Sequence, residues 1–169
     1  MSKIITYPQY SDYFRALSEK HKKLNPTETV GASHFYEFEE DFMGLNLKPL
    51  SMILLPPICK PVDDRSDNVR KEFNSEFWIL KTVKKQRTSD RHAALEECEA
   101  IGWDLIKRIK KDTANYSLGA GRIVQYFDLS TVTWDQIKPA KHSDNYHGYS
   151  FEFTFSNNIS IVEDEANWW

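Results

Sequence analysis

Cysteine is scarce: Cys59 and Cys98 are the only two in 169 residues, and their separation matches neither a zinc-ligand spacing nor a redox pair. No disulfide framework or metal finger is expected, and a reducing compartment suits such a chain. Long apolar runs are missing as well. Nothing approaches the roughly 18 apolar residues of a membrane helix, and residues 1–8 contain no apolar leader segment, so no membrane partner is expected. Nor is positive charge in excess, since 22 Lys and Arg stand against 25 Asp and Glu for a formal charge of -3. That leaves no whole-molecule field to hold nucleic acid by counterion release, and no specific nucleic-acid partner is expected. What is present, 40% hydrophobic and 14% aromatic residues, is too apolar for a disordered chain and enough for an ordinary core. The length predicts one domain, taken as 1–162, followed by an acidic tail at 163–169 that ends in two tryptophans.

Periodicity assigns the elements. Thr6 stands three residues before Gln9 as in a capping box, with Pro8 in the first turn, and Tyr10, Tyr13, Phe14, Leu17, His21 and Leu24 form a helical stripe ending before Asn25-Pro26. Strands are expected at 34–39, at the apolar run 50–55 and at 76–83, with the Pro- and charge-rich 56–70 as a loop between the last two. A helix over 89–111 follows, with Leu95, Cys98, Ile101, Leu105 and Ile109 on one stripe and Lys107, Arg108, Lys110 and Lys111 at its end, where the helix dipole favours cations. Three strands complete the chain: 122–127 and 131–137, separated by a link at 128–130, and 149–156. In the last, every odd position is aromatic and every even one polar. Two helices cannot cover both faces of a parallel sheet, so the expected class is α+β, with a mixed, mainly antiparallel sheet of five to six strands.

Catalytic constellations are not found. His142 and His147 with Asp144 fall in one short segment, which reads as a polar loop rather than a metal site. His21 on the apolar stripe reads as a packed histidine, and Cys98 as core. Leu118-Gly119-Ala120-Gly121-Arg122 lacks the third glycine and the strand-to-helix setting of a dinucleotide loop. Adjacent carboxylates such as Asp63-Asp64 and Glu96-Glu97 diverge in space and make no acid–base pair. No cofactor, metal or catalytic residue is therefore assigned, and the chain reads as a non-enzyme.

Charge and aromatics point to association. Lys81, Lys84, Lys85, Arg87 and Arg91 make a basic cluster, while Glu37 to Asp41 and Glu163, Asp164 and Glu165 are acidic. Complementary patches on different parts of a subunit are what head-to-tail rings require. Trp168 and Trp169 supply aromatic anchors of the kind that dominate interfaces. The partner-binding residues assigned from sequence are therefore Lys84, Lys85, Arg87, Glu163, Asp164, Glu165, Trp168 and Trp169.

The order of elements and the closing segment Gly148-Tyr149-Ser150-Phe151-Glu152-Phe153-Thr154-Phe155-Ser156-Asn157-Asn158 resemble small tail proteins of tailed bacteriophages and prophages, of the tail-terminator or tail-completion type. The resemblance covers residues 50–162, and the segment of about 45 residues at the N-terminus departs from it. It implies a non-enzymatic virion component that forms a homo-oligomeric ring at a tail junction. Its partners would be copies of itself and other tail or neck proteins, in the host cytoplasm during assembly and then in the virion. The alternative is a monomeric or dimeric adaptor or inhibitor that binds a foreign chain through the same aromatic face and tail.

Overall fold

The computed structural model describes residues 5–29, 31, 33–37, 47–63, 69–83, 87–114, 123–137 and 145–158. Helix α1 (Tyr7–Lys20) begins at the capping box: the Thr6 N–H donates to Gln9 Oε1 at 3.0 Å, and Pro8 falls where a missing N–H costs nothing. Its stripe buries Tyr10, Tyr13, Phe14 and Leu17. The helix ends at Lys20, a turn earlier than the stripe predicts, because His21 turns extended and the buried Asn25 takes over the end. Asn25 Nδ2 donates to the carbonyls of Glu19 (3.0 Å) and Thr29 (3.1 Å), satisfying a helix-end acceptor and closing the turn with one side chain. Leu24 still reaches the core. Helix α2 (Thr88–Ala114) covers the expected span and buries Ala94, Cys98, Ile101, Leu105 and Ile109.

Six strands form one sheet: β1 (Phe35–Glu37), β2 (Leu50–Leu54), β3 (Ile58–Val62), β4 (Arg70–Thr82), β5 (Tyr126–Ile137) and β6 (Tyr146–Asn158). The order is β1-β2-β4-β6-β5, with β3 also paired to β4, and β1–β2 is the parallel pair in an otherwise antiparallel sheet. This is the expected α+β class. Two expectations are corrected. The segment 56–70 is not one loop, since β4 starts at Arg70 rather than at 76 and its early half offers a ladder that Ile58–Val62 completes. Pro61 is tolerated there because β3 is an edge strand. The two strands expected at 122–127 and 131–137 are one strand, β5, that absorbs the 128–130 link as a bulge, while 123–125 form a turn. Asn157 holds that turn, accepting from the Gln125 N–H at 3.2 Å and donating to the Ile123 carbonyl at 2.7 Å.

Both helices pack on one face of the sheet. The alternation in β4 and β6 puts Phe73, Phe77 and Ile79 beside Phe151, Phe153 and Phe155, all buried. Register pairs become ring pairs: Phe73 stacks on Phe155 at 4.8 Å and Phe77 on Phe151 at 5.3 Å. From α1, Tyr10 lies over Phe73 and Phe155, and Phe14 over Phe77 and Phe153. Side chains at the even positions of β4 and β6 make the other face, which carries Glu72, Asn74, Glu76, Ser150, Glu152 and Thr154. There Asn74 Nδ2 donates to Glu152 Oε1 at 2.9 Å, and Lys60 pairs with Glu72 at 2.7 Å.

Candidate functional site

The edge strand β5 is shaped by its own sequence. Asp128 Oδ1 accepts from the Ser130 N–H (2.9 Å) and hydroxyl (2.6 Å), and Thr131 Oγ1 donates to the Asp128 carbonyl at 2.7 Å. Those hydroxyl and amide donors hold the Asp128 carboxyl below its ordinary pKa. Across the ladder, the Thr154 N–H donates to Thr131 Oγ1 at 2.8 Å, so a side chain stands in for the carbonyl the bulge has displaced. The register steps from Asp128↔Thr154 to Thr133↔Glu152, five residues on β5 against two on β6. Leu129 lies within that surplus and is exposed, as are Tyr126 before it on the open face and Trp134 after it on the helix face. The three are 47%, 43% and 46% exposed, respectively.

Both aromatics are held in place although they are exposed. Trp134 Nε1 donates to Glu99 Oε1 of α2 at 3.0 Å, and its ring meets Trp103 edge-on at 5.0 Å. Trp103 in turn contacts Phe151, which links the surface indole to the core. Tyr126 lies under the Arg70 guanidinium, 5.5 Å from its ring centre, and its hydroxyl accepts from Asn158 Nδ2 at 3.2 Å. Aromatic side chains already fixed in one conformation lose little entropy when a partner covers them. Beside Tyr126 a cleft of about 590 Å³ opens between Arg70, Glu72, Asp128, Thr131 and Thr154. Carboxylates of Glu99, Asp128 and Asp135 lie along this edge, together with Arg70 over Tyr126 and Lys110 near Asp128. Burial first, then the Glu99 and Asp135 carboxylates, push the Tyr149 hydroxyl up.

Of the partner-binding residues assigned from sequence, Arg87 is exposed at the start of α2, where its carbonyl accepts from the Asp90 and Arg91 N–H groups. Lys84, Lys85, Glu163, Asp164, Glu165, Trp168 and Trp169 lie outside the described residues, as do His142 and the Gly119–Gly121 run. Lys81, counted in the basic cluster, pairs with Glu97 of α2, which also binds Lys23 at 2.9 Å. Those two ammonium groups hold the Glu97 carboxyl below its usual range. Cys98 is core as expected, its thiol pushed up to about 12 by burial and by Glu97. Tyr126, Leu129 and Trp134 escaped the sequence reading. Thr131 to Ile137 alternates as a strand does, but alternation cannot say that a strand lies at an edge, and Leu129 was hidden in the expected link.

His147 does not sit in a polar loop; it belongs to β6 and is buried, with Nε2 lacking a hydrogen-bond partner. Burial and then Arg91 lower its pKa, and burial lowers that of His21. Neutral in the fold, both take up protons near pH ~6.5 once unfolded. The unfolded state therefore binds more protons as the pH falls below that value, and stability drops with it. Urea midpoints are expected to be level above pH ~7.5 and to fall from pH ~6.5 toward 5, with a shallower slope in His147→Gln. An unchanged slope would mean that His147 titrates alike folded and unfolded.

Among the described residues no helix is long and apolar enough to cross a membrane, and no group of three or more His, Cys, Asp or Glu side chains is placed to hold a metal ion. Compared with protein-family models and with curated proteins, the chain matches none.

Proposed function

We propose that the chain is a non-enzymatic assembly subunit that joins copies of itself into a ring, with the tail-terminator or tail-completion resemblance giving the setting: a junction of a phage tail, reached from the host cytoplasm. The observation that carries this reading is the rim of β5, where Tyr126, Leu129 and Trp134 stand exposed on one edge strand with both aromatics braced from behind. Tyr126 stands on the open face opposite Ser156 and Trp134 on the helix face opposite Phe151, so the edge carries a braced aromatic on each of its two sides, the residue types that interfaces favour. The bulge at 129–132 also breaks the flat edge that would otherwise invite uncontrolled strand addition. Association through such an edge is by side chains and remains specific.

Light scattering across a concentration series, at low and raised salt, tests the reading on the full chain, on Trp134→Ala and on a chain ending at Val162. Mass climbing toward a closed ring of about six copies, lowered by salt and by Trp134→Ala, is the expected result. Loss of the ring on truncation would bring Trp168 and Trp169 into the contact. A strict monomer under every condition would overturn the self-assembling ring and favour an adaptor that binds a foreign chain.

A further inference from the structure

We infer that the start of β6, from Asn145 to His147, is an acid-sensitive clasp: protonation of His147 releases it from β4 and α2 and uncovers Cys98, while the aromatic core stays closed. The inference stands apart from the assembly reading, and either can fail without the other.

His147 is 5% exposed, and its Nε2 is buried without a hydrogen-bond partner. Its side chain lies on the helix face, because Lys81, its partner across the ladder, shares the face of Phe77 and Ile79. Two elements pack against it there. From β4 comes Lys81, whose ammonium is committed to Glu97. From α2 come Arg91, whose guanidinium opposes a second positive charge at His147, and Glu97, which already holds Lys81 and Lys23. Cys98, also of α2, donates its thiol to the His147 carbonyl at 3.7 Å. Among the described residues no carboxylate is paired with His147. His21 provides the contrast, since its Nε2 faces Asp104 at 3.9 Å and an imidazolium there has a counter-ion. A charged His147 would be a buried cation beside an arginine, a state that is relieved when the ring moves to water. The closed form therefore binds this proton less readily than the open one, and opening gains as the pH falls through ~6.5.

The sheet confines the release to one end. Pairing with β5 stops at Ile137↔Gly148, so residues 145–147 are held by β4 alone, through Lys81↔His147, Thr82↔Tyr146 and the Val83 N–H donating to the Asn145 carbonyl at 2.8 Å. The end of β4 stays anchored without them, since the Thr82 N–H donates to the Pro49 carbonyl at 2.7 Å. Beyond Gly148 the strand has a neighbour on each side, and its phenylalanines are layered with Tyr10 and Phe14 of α1. Peeling stops there. Cys98, 0% exposed and bonded to the residue that leaves, is the buried group this opening brings to solvent.

The two cysteines report the opening, with the exposed Cys59 as internal standard. The probe is 4,4′-dithiodipyridine, which reacts with thiols in acid, applied to the full chain at pH ~7.5 and ~5. The labelling rate at Cys98 divided by that at Cys59 is expected to rise about tenfold between the two, within the ceiling of roughly thirtyfold that one proton taken up near pH ~6.5 allows. In His147→Gln it is expected to change by less than about twofold. Because the released segment is short, the ratio should respond to urea much less than global unfolding does. A ratio level with pH, an equal rise in His147→Gln, or a urea dependence matching global unfolding would each overturn the clasp. Should His147→Gln not fold, Arg91→Gln decides: without the guanidinium the closed form accepts the proton more readily, so the rise shrinks, and an undiminished rise would overturn the inference.

Discussion

Phe153→Ala is expected to lower the free energy of unfolding by about 3–5 kcal/mol, the usual cost of emptying a large aromatic site in a core. Phe153 is 1% exposed and touches rings from four elements: Phe14 of α1 at 6.1 Å, Phe77 of β4 at 5.9 Å, Phe127 of β5 at 5.6 Å and Phe155 of β6 at 6.4 Å. No single neighbour can relax into the gap without leaving its own partners, so the lining loses contacts that water does not replace. For a chain of this size the Tm falls by roughly 8–16 °C. Urea unfolding with an unchanged m-value measures the loss directly. A cost below about 1.5 kcal/mol would mean that the rings close over the vacancy and that the aromatic layer is looser than its geometry. Trp134→Ala provides the contrast: its ring is nearly half exposed, and its larger effect is expected on association rather than on folding.

Elements whose signal is local were legible in the residues. The Thr6–Gln9 cap and the stripe through Phe14 depend only on neighbours along the chain, as does the stripe through Cys98 in α2. The aromatic alternation of 149–156 is a pattern of period two that survives in any antiparallel setting, and it lies inside Tyr146–Asn158. Elements whose cause is tertiary were not legible. Ile58–Val62 contains a proline and a lysine and becomes a strand because β4 runs six residues longer toward Arg70 than its apolar pattern suggested. The early end of α1 follows from Asn25 reaching back to Glu19, a contact that no helical periodicity encodes. The same division separates what was seen of the site from what was missed. Charged runs such as Lys84, Lys85 and Arg87 announce themselves in sequence. Trp134, by contrast, becomes a surface anchor only because Glu99 and Trp103, some thirty residues earlier, brace it at the sheet edge.

Gly148→Ala is expected to cost about 3 kcal/mol, at the upper end of overpacking, because the added methyl meets backbone rather than a side chain that could swing aside. Gly148 sits in β6 between Leu80 of β4 and Ile137 of β5. A Cβ there would lie 1.8 Å from the Ile79 carbonyl oxygen and 3.0 Å from Leu80 Cα. Relief requires β4 and β6 to part, and that ladder is the longest in the sheet, running from Arg70↔Asn158 to Thr82↔Tyr146. Gly102 in α2 is a different case. A Cβ there would meet the Phe151 ring at 2.0 Å, so a smaller residue at 151 can make room for it. Pairing Gly102→Ala with Phe151→Leu should therefore recover part of the stability that Gly102→Ala loses, whereas trimming Leu80 to alanine beside Gly148→Ala should recover none. Chemical unfolding of the two single and two double variants decides it. Rescue of Gly148→Ala by Leu80→Ala would show that side-chain crowding, and not the approach of the two backbones, is what requires glycine at that point of the sheet.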